Sequence, residues 1–167
     1  MPYVPFHDYF PEIAEQETRS FTVFDDPKLP PGNYGLVEMY CDEPGCNCRR
    51  VFLSVLSSSS MRIEAVIAYG WESSRFYAKW MGDGNPKIIK GLKGPILNLA
   101  SPQSDIAPLI LEFVKDVILQ DKAYIQRLKS HYRMFRDHID NKLKPKTVRS
   151  KRKVIASRSS GRGKPRR

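Results

Sequence analysis

Alternating apolar and polar residues in the first half of the chain predict short β-strands. The predicted strands are 20–24, 34–41, 49–56 and 61–69. Apolar side chains at every second position lie on one face of a strand, as in a sheet with one buried face. In the last strand, the residues predicted to share a face are Met61, Ile63, Ala65, Ile67 and Tyr69. Short links between consecutive strands favour an antiparallel sheet of about four strands.

The spacing of apolar residues becomes helical in the second half of the chain. Residues 72–81 are predicted to form a short helix that ends at Gly82. Glycine and proline interrupt residues 83–104, which are predicted to form a loop. A further short helix is predicted at 11–17, where Pro11 suits an early helical position.

Two longer helices are predicted toward the end of the chain. The first has Asp105 as its N-cap and Pro108 in its first turn, and the second runs from the N-cap Asp121 to about Asn141. The predicted core positions of these helices are Ile106, Leu109, Ile110, Phe113, Val114, Val117, Tyr124, Leu128, Tyr132, Phe135 and Ile139. A sheet followed by a helical half is an α+β fold.

The length and composition are those of one globular domain. The chain has 167 residues, of which 41% are hydrophobic, and this is too short for two ordinary domains. No apolar run reaches the ~18 residues of a membrane helix, and the N-terminus lacks the features of a secretory signal. Three cysteines cannot all pair within the chain, which favours a reducing, cytoplasmic location.

The net charge of +10 is distributed unevenly along the chain. Residues 142–167 contain twelve Lys and Arg and no acidic residue, whereas residues 1–141 contain 16 basic and 18 acidic residues. The sequence therefore predicts a nearly neutral domain at 1–141 and a polybasic tail at 142–167, whose composition does not favour independent folding.

All three cysteines, Cys41, Cys46 and Cys48, lie within eight residues. Thiolates are good zinc ligands, and zinc accepts tetrahedral sets of thiolate and imidazole. Pro44 and Gly45 allow the loop to turn sharply and to direct backbone amides toward the sulfur atoms. The spacing predicts a zinc site between the ends of two strands. Free structural cysteines and a labile disulfide are the alternatives.

The cysteine loop leaves one corner of a zinc tetrahedron to be filled from elsewhere. His131 is the first choice. The alternatives are His7, His138, Asp42, Glu43 and solvent. The chain lacks the H-E-x-x-H motif of metalloproteases and the H-x-E with P-C-x-x-C pattern of zinc deaminases. A structural site that locks a hairpin is therefore favoured over a catalytic one.

The polybasic tail predicts binding to nucleic acid or to a ribonucleoprotein. Flexible basic segments release counterions from polyanions and need no base contacts, and without clustered aromatic residues the tail is not expected to read sequence. The predicted contacts extend onto the last helix and the cysteine loop, and they are Arg49, Arg50, Arg133, Arg136, Lys144, Lys146, Arg149, Lys151, Arg152, Lys153, Arg162, Lys164, Arg166 and Arg167. A solvated tail and a membrane-surface contact are the alternatives, although no lipidation signal accompanies the tail.

Five segments together resemble a family of small bacterial proteins that are often labelled SEC-C proteins. The segments are 10–19, 41–50, 69–72, 99–104 and 124–135. Members of this family end in a small zinc motif similar to the C-terminal tail of the SecA translocation ATPase. This chain has the polybasic tail in place of that C-x-C-G-S-G-K motif, so a ribosome- or SecB-docking role does not transfer. The resemblance implies that the cysteine loop, Arg19, Trp71 and His131 belong to recurring segments.

Three functions are compatible with these features. The first is a non-enzymatic, zinc-stabilised module that binds nucleic acid or a ribonucleoprotein through its tail. The second is a metal-dependent hydrolase or nuclease with an open coordination position at the cysteine cluster. The third is a protein-interaction module whose tail contacts an acidic partner.

Overall fold

The computed structural model describes residues 3–142, which form the predicted α+β fold. The strands are β1 (Tyr3–Pro5), β2 (Ser20–Val23), β3 (Gly32–Cys41), β4 (Arg50–Ser57), β5 (Arg62–Gly70) and β6 (Ile96–Leu97). The α-helices are α1 (Pro11–Glu17), α2 (Ser74–Met81), α3 (Pro86–Lys93), α4 (Ala107–Asp116) and α5 (Lys122–Lys142). Single 3-10 turns at Phe6–Asp8 and Ile118–Gln120 complete the regular structure of these residues.

All strand pairs of the sheet are antiparallel. The order is β1-β3-β4-β5-β6, and β2 also pairs with β3. The first two strands share β3 as a partner, because β2 pairs with its beginning and β1 pairs with its end, where Tyr3 lies opposite Cys41. This register brings the start of the described chain to the cysteine loop.

The core lies between the sheet and the two longest helices, α4 and α5. The buried residues of the central strands are Tyr34, Leu36, Tyr40, Val51, Leu53, Val55, Ala65 and Ile67. The helices contribute Ile110, Val114, Tyr124, Leu128, Tyr132, Phe135 and Ile139 to the same cluster. This packing anchors α5 across β3 and β4, the two strands that lead into and out of the cysteine loop.

The beginning of β5 departs from the predicted alternation. Val55 pairs with Ala65, but the next residue, Leu56, pairs with Ile63, so the register shifts at a bulge. Because a bulge reverses the faces of the residues before it, Ile63 is 51% exposed and does not share the buried face of Ala65. Met61 is 74% exposed because it lies in the turn before β5, with φ of 52°. The prediction of one face from 61 to 69 is therefore wrong for its first half.

The predicted loop at 83–104 is also wrong in part, because it contains α3 and β6. The Asn85 side chain accepts a hydrogen bond from the Lys87 amide at 3.0 Å, and Pro86 occupies the first turn of α3. Only Ile89 of this helix is buried. Such a short helix offers too little apolar periodicity to be recognised, although the Asn-Pro start is a cap signal.

The ends of the two long helices test the predicted caps. Helix α4 begins at Ala107, with Ile106 rather than Asp105 at its N-cap, and it ends before Val117, which is consequently 51% exposed. The cap of α5 is confirmed, because Asp121 Oδ1 accepts from the amides of Ala123 and Tyr124 at 2.9 and 3.3 Å.

Candidate metal centre

Three thiols meet in the loop between β3 and β4. The sulfur atoms of Cys41, Cys46 and Cys48 all lie within 4.8 Å of one another, and all three cysteines are free. Cys41 and Cys48 are fully buried, whereas Cys46 is partly exposed. This separation fits three ligands around one ion, since ligand atoms of a tetrahedral zinc–thiolate site lie ~2.3 Å from the metal. The cluster could therefore hold a metal ion.

The backbone of the loop directs amides toward the sulfur atoms. Gly45 adopts a left-handed conformation with φ of 69°, and the Cys46 amide closes a turn onto the Glu43 carbonyl at 3.2 Å. The Glu43 backbone acts to lower the pKa of Cys41, and the Cys48 backbone acts to lower the pKa of Cys46, as expected for amides that favour thiolates. Amides in these positions stabilise thiolates and fix their directions.

The thiols also act on one another. Hydrogen bonding from the Cys48 thiol lowers the pKa of Cys41 to about 6, with burial opposing the shift. The same interaction raises the pKa of Cys48, and burial raises the pKa of Cys46. The cluster therefore favours a thiolate at Cys41, and metal binding would release the protons that the other thiols carry.

Helix α5 holds the loop through two of its side chains, Arg136 and Asp140. Arg136 is 7% exposed, and its guanidinium donates to the carbonyls of Cys41 and Glu43 at 2.6 and 2.8 Å. It also donates to Asp140 at 2.7 Å, and Asp140 accepts the Gly45 amide at 2.9 Å. One buried cation and one carboxylate thus fix three backbone groups of the metal loop.

Tyr3 lies against the buried part of the cluster. Its hydroxyl is buried next to the Cys48 thiol, without a well-formed hydrogen bond to another described residue. Burial raises the pKa of Tyr3, so the phenol stays protonated and can donate to a Cys48 thiolate. Tyr3 is also stacked on Phe52 with a centroid distance of 3.8 Å, which fixes the position of its ring.

His131 lies in a separate polar cluster and does not join the thiol group. Its Nδ1 contacts Glu38 at 2.8 Å, and its Nε2 contacts Glu17 at 2.9 Å. The Tyr40 hydroxyl also donates to Glu38, at 2.7 Å. Both ring nitrogens are therefore engaged, and His131 has none free to coordinate a metal. Within residues 3–142, no His, Asp or Glu adds a fourth ligand to the three thiols.

The two carboxylates beside His131 predict a pH-dependent contribution to stability. Burial lowers the pKa of His131, but Glu38 and Glu17 outweigh it, so the pKa is raised above its ordinary value of about 6.5. The imidazolium therefore stabilises the fold fully below that ordinary value, and this contribution is lost as the pH rises through the folded-state pKa. Urea unfolding from pH 6 to 9 should show this loss of unfolding free energy, and in Glu17→Gln the loss should be smaller and complete at lower pH, because one of the two carboxylates that raise the folded-state pKa is gone. The same dependence of the unfolding free energy on pH in both proteins would show that Glu17 does not raise the pKa of His131.

The predicted nucleic-acid contacts fall into different environments. Arg50 and Arg136 are buried, and Arg50 donates to the carbonyls of Leu92 and Gly91 at 2.7 and 3.2 Å. Both guanidinium groups therefore form hydrogen bonds to backbone carbonyls inside the protein and stabilise the fold. Arg133 is exposed. Outside the described residues lie Lys144, Lys146, Arg149, Lys151, Arg152, Lys153, Arg162, Lys164, Arg166 and Arg167.

A cavity of about 480 Å³ opens beside the cysteine loop. Cys46 and Arg49 form its wall on the loop side, Trp71 lies at the end of β5, and Lys129 and Arg133 extend from α5. Arg49 is paired with Glu72 at 3.1 Å. The cavity thus brings together two predicted contact residues, Arg49 and Arg133, that are 84 positions apart in the chain.

Several residues of this site carry no local sequence signal. The contacts of Arg136 with Cys41 and of Glu38 with His131 join positions more than 90 residues apart. The helical periodicity of α5 gives a partial signal, because Arg136 follows Tyr132 by four positions and so lies on its buried face.

Comparisons with protein-family models, curated proteins and solved structures found no match to this chain. The resemblance to the SEC-C proteins therefore stays a prediction. Among the helices of residues 3–142, none combines the length and hydropathy that a membrane span requires.

Proposed function

We propose that the protein is a non-enzymatic module whose fold is stabilised by zinc and whose tail binds nucleic acid or a ribonucleoprotein. The observation that carries the zinc assignment is the meeting of three sulfur atoms within 4.8 Å. Three soft thiolate donors favour zinc over the hard cations magnesium and calcium. The reducing, cytoplasmic location predicted from the unpaired cysteines agrees with this assignment.

The surroundings of the thiols support a structural metal rather than a catalytic one. Cys41 and Cys48 are buried, and Arg136 and Asp140 fix the loop backbone. The carboxylates near the thiols that could serve a hydrolase as general base are Glu38, Asp42 and Glu43, and of these Glu38 already contacts His131 and Tyr40 through one oxygen. A metal in this loop would join the ends of β3 and β4 to α5.

The metal-dependent hydrolase is the second candidate. It is favoured by the lack of a fourth ligand among residues 3–142 and by the position of Cys46 on a cavity wall. X-ray absorption at the zinc edge of the full chain would support it if the spectrum gave three sulfur ligands and one exchangeable oxygen ligand. Four ligands that do not exchange with solvent would support the structural metal.

The charge distribution supports the nucleic-acid partner. Residues 142–167 contain twelve basic residues and no acidic residue. This composition suits binding to the phosphate backbone of a nucleic acid through counterion release. Helix α5 ends at Lys142, where the tail begins in the sequence, and Lys129 and Arg133 of this helix line the cavity beside the cysteine loop. Tail and helix therefore offer positive charge on neighbouring parts of the chain.

Neutralising part of the tail is expected to weaken RNA binding and to reduce its salt dependence. Replacing Lys151, Arg152 and Lys153 with glutamine in the full chain removes three cations. Because each phosphate contact on a single strand contributes ~0.7 to the slope of log K against log salt, the slope should fall by about 2. Fluorescence anisotropy of labelled single-stranded RNA over a range of salt concentrations measures this change.

The matched control removes the same charge from the exposed surface of α2 and α3. Lys79, Lys87 and Lys90 are exposed on these helices, and their replacement by glutamine should leave the slope nearly unchanged. Equal loss of slope in both triple variants would show that total charge, rather than the tail, determines binding. RNA binding that is insensitive to the tail substitutions would show that these tail residues do not contact the RNA.

A further inference from the structure

We infer that the cavity beside the cysteine loop binds one nucleotide of a single-stranded nucleic acid. This inference deepens the proposed function and rests on it, because it gives the partner of the tail a second contact on the folded domain. The volume of about 480 Å³ lies within the ~300–1,000 Å³ range of small-molecule sites. The chemistry of the walls identifies the class of ligand.

Two cations of α5 offer a phosphate contact. Lys129 and Arg133 lie one turn apart on the cavity side of the helix, ~6 Å along its axis. Neither forms a salt bridge with a residue of 3–142. A pair of cations at this spacing can bind one phosphate group from two sides.

The acidic residues of the cavity do not cancel these two charges. Glu72 is paired with Arg49 at 3.1 Å, and Asp140 is paired with Arg136 at 2.7 Å. Asp137 is the remaining acid on the cavity wall. The balance of one carboxylate against Lys129 and Arg133 favours an anion, and it favours a singly charged phosphodiester over a more highly charged group.

The aromatic and amide residues of the cavity wall suit a base. Trp71 is half-buried on the cavity wall, and its ring is held at 74° to the Tyr132 ring with a centroid distance of 5.2 Å. An indole fixed in this way can stack with a nucleobase, whatever the base identity. Asn47 and Gln126 also line the cavity and supply amide donors and acceptors for a base edge.

The position of the cavity favours a strand over a free nucleotide. Arg133 is nine residues before the end of α5 at Lys142, which corresponds to ~14 Å along the helix. The polybasic residues follow directly in the chain. A strand held in the cavity therefore reaches the end of α5, where the tail begins in the sequence, within a few nucleotides, whereas stacked and paired bases of a duplex could not enter the cavity.

The fluorescence of Trp71 provides the test. The chain has two tryptophans, so Trp80→Phe in the full, zinc-loaded protein leaves Trp71 as the only indole reporter. Titration with a short single-stranded oligouridylate should quench this fluorescence to saturation, and the corresponding duplex should not. Adding Lys129→Glu and Arg133→Glu should weaken the affinity about tenfold or more, because two phosphate contacts become repulsive.

The matched control, Lys115→Glu with Lys122→Glu, introduces the same charge change on exposed positions of α4 and α5 outside the cavity. It should reduce the affinity much less. Oligouridylate binding without quenching of Trp71, or with equal losses in both double variants, would overturn the cavity site while leaving tail binding intact. No binding by the parent protein at low salt would overturn the proposed function as well.

Discussion

Cys46→Ser protein is expected to lose stoichiometric zinc and to melt about 10 °C below the zinc-loaded parent. At a free zinc concentration of about 1,000 times Kd, binding to the folded state alone stabilises it by about 4 kcal/mol, which corresponds to this shift for a chain of this size. Cys46 is the informative position because it is partly exposed. Serine there removes a metal ligand without opening a cavity in the core.

The control for this substitution is the metal-free parent. Without zinc, the parent and Cys46→Ser should melt within a few degrees of each other, since the variant then lacks only a half-exposed sulfur atom. Differential scanning calorimetry with and without a chelator gives all four values. A large difference that persists in the metal-free proteins would assign the sulfur of Cys46 to packing rather than to a metal.

Arg136→Gln protein is expected to lose about 3 kcal/mol of unfolding free energy. The buried guanidinium donates to the carbonyls of Cys41 and Glu43 and to Asp140, and each charge-assisted hydrogen bond contributes ~1.5–3 kcal/mol. Because these carbonyls belong to the metal loop, zinc affinity should also fall by roughly 10- to 100-fold, as for other residues that orient metal ligands. Urea unfolding and competition with a zinc chelator measure the two effects.

Arg133→Gln is the matched control for this second substitution. Arg133 lies on the same helix, but it is exposed, so its replacement should change the unfolding free energy by less than ~0.5 kcal/mol. Zinc affinity should stay at the parent value. Equal effects of the two substitutions would show that the general charge of α5, rather than the buried contacts of Arg136, supports the loop.

Local periodicity was sufficient to predict the central part of the fold. The buried apolar face of α5 and its Asp121 N-cap are both present in the structure. Each depends only on residues within one or two helical turns of each other. Val51, Leu53 and Val55 alternate in sequence and are fully buried. The cysteine cluster was equally accessible, since its three members lie in one loop.

The structural features that the sequence did not predict depend on contacts between distant parts of the chain. The bulge in β5 becomes visible only when its register with β4 is known, and β6 contains just two residues. The choice of His131 as fourth ligand failed for a similar reason. Its two carboxylate partners come from α1 and β3, 114 and 93 positions away, so no pattern within α5 indicates that both ring nitrogens are occupied.

The basic residues show the same limit. Arg50 and Arg136 look like surface cations in the sequence, yet both are buried because backbone carbonyls from other segments satisfy them. A buried arginine requires such partners, and the sequence does not reveal which carbonyls lie nearby. Predictions of nucleic-acid contacts from charge alone therefore include residues that stabilise the fold.

The metal content of the purified 167-residue chain tests the central claim most directly. Elemental analysis combined with native mass spectrometry should find one zinc ion per chain, retained through gel filtration and released when the thiols are modified. A protein that is isolated without metal, and that fails to bind added zinc while its three thiols are reduced, would contradict the account.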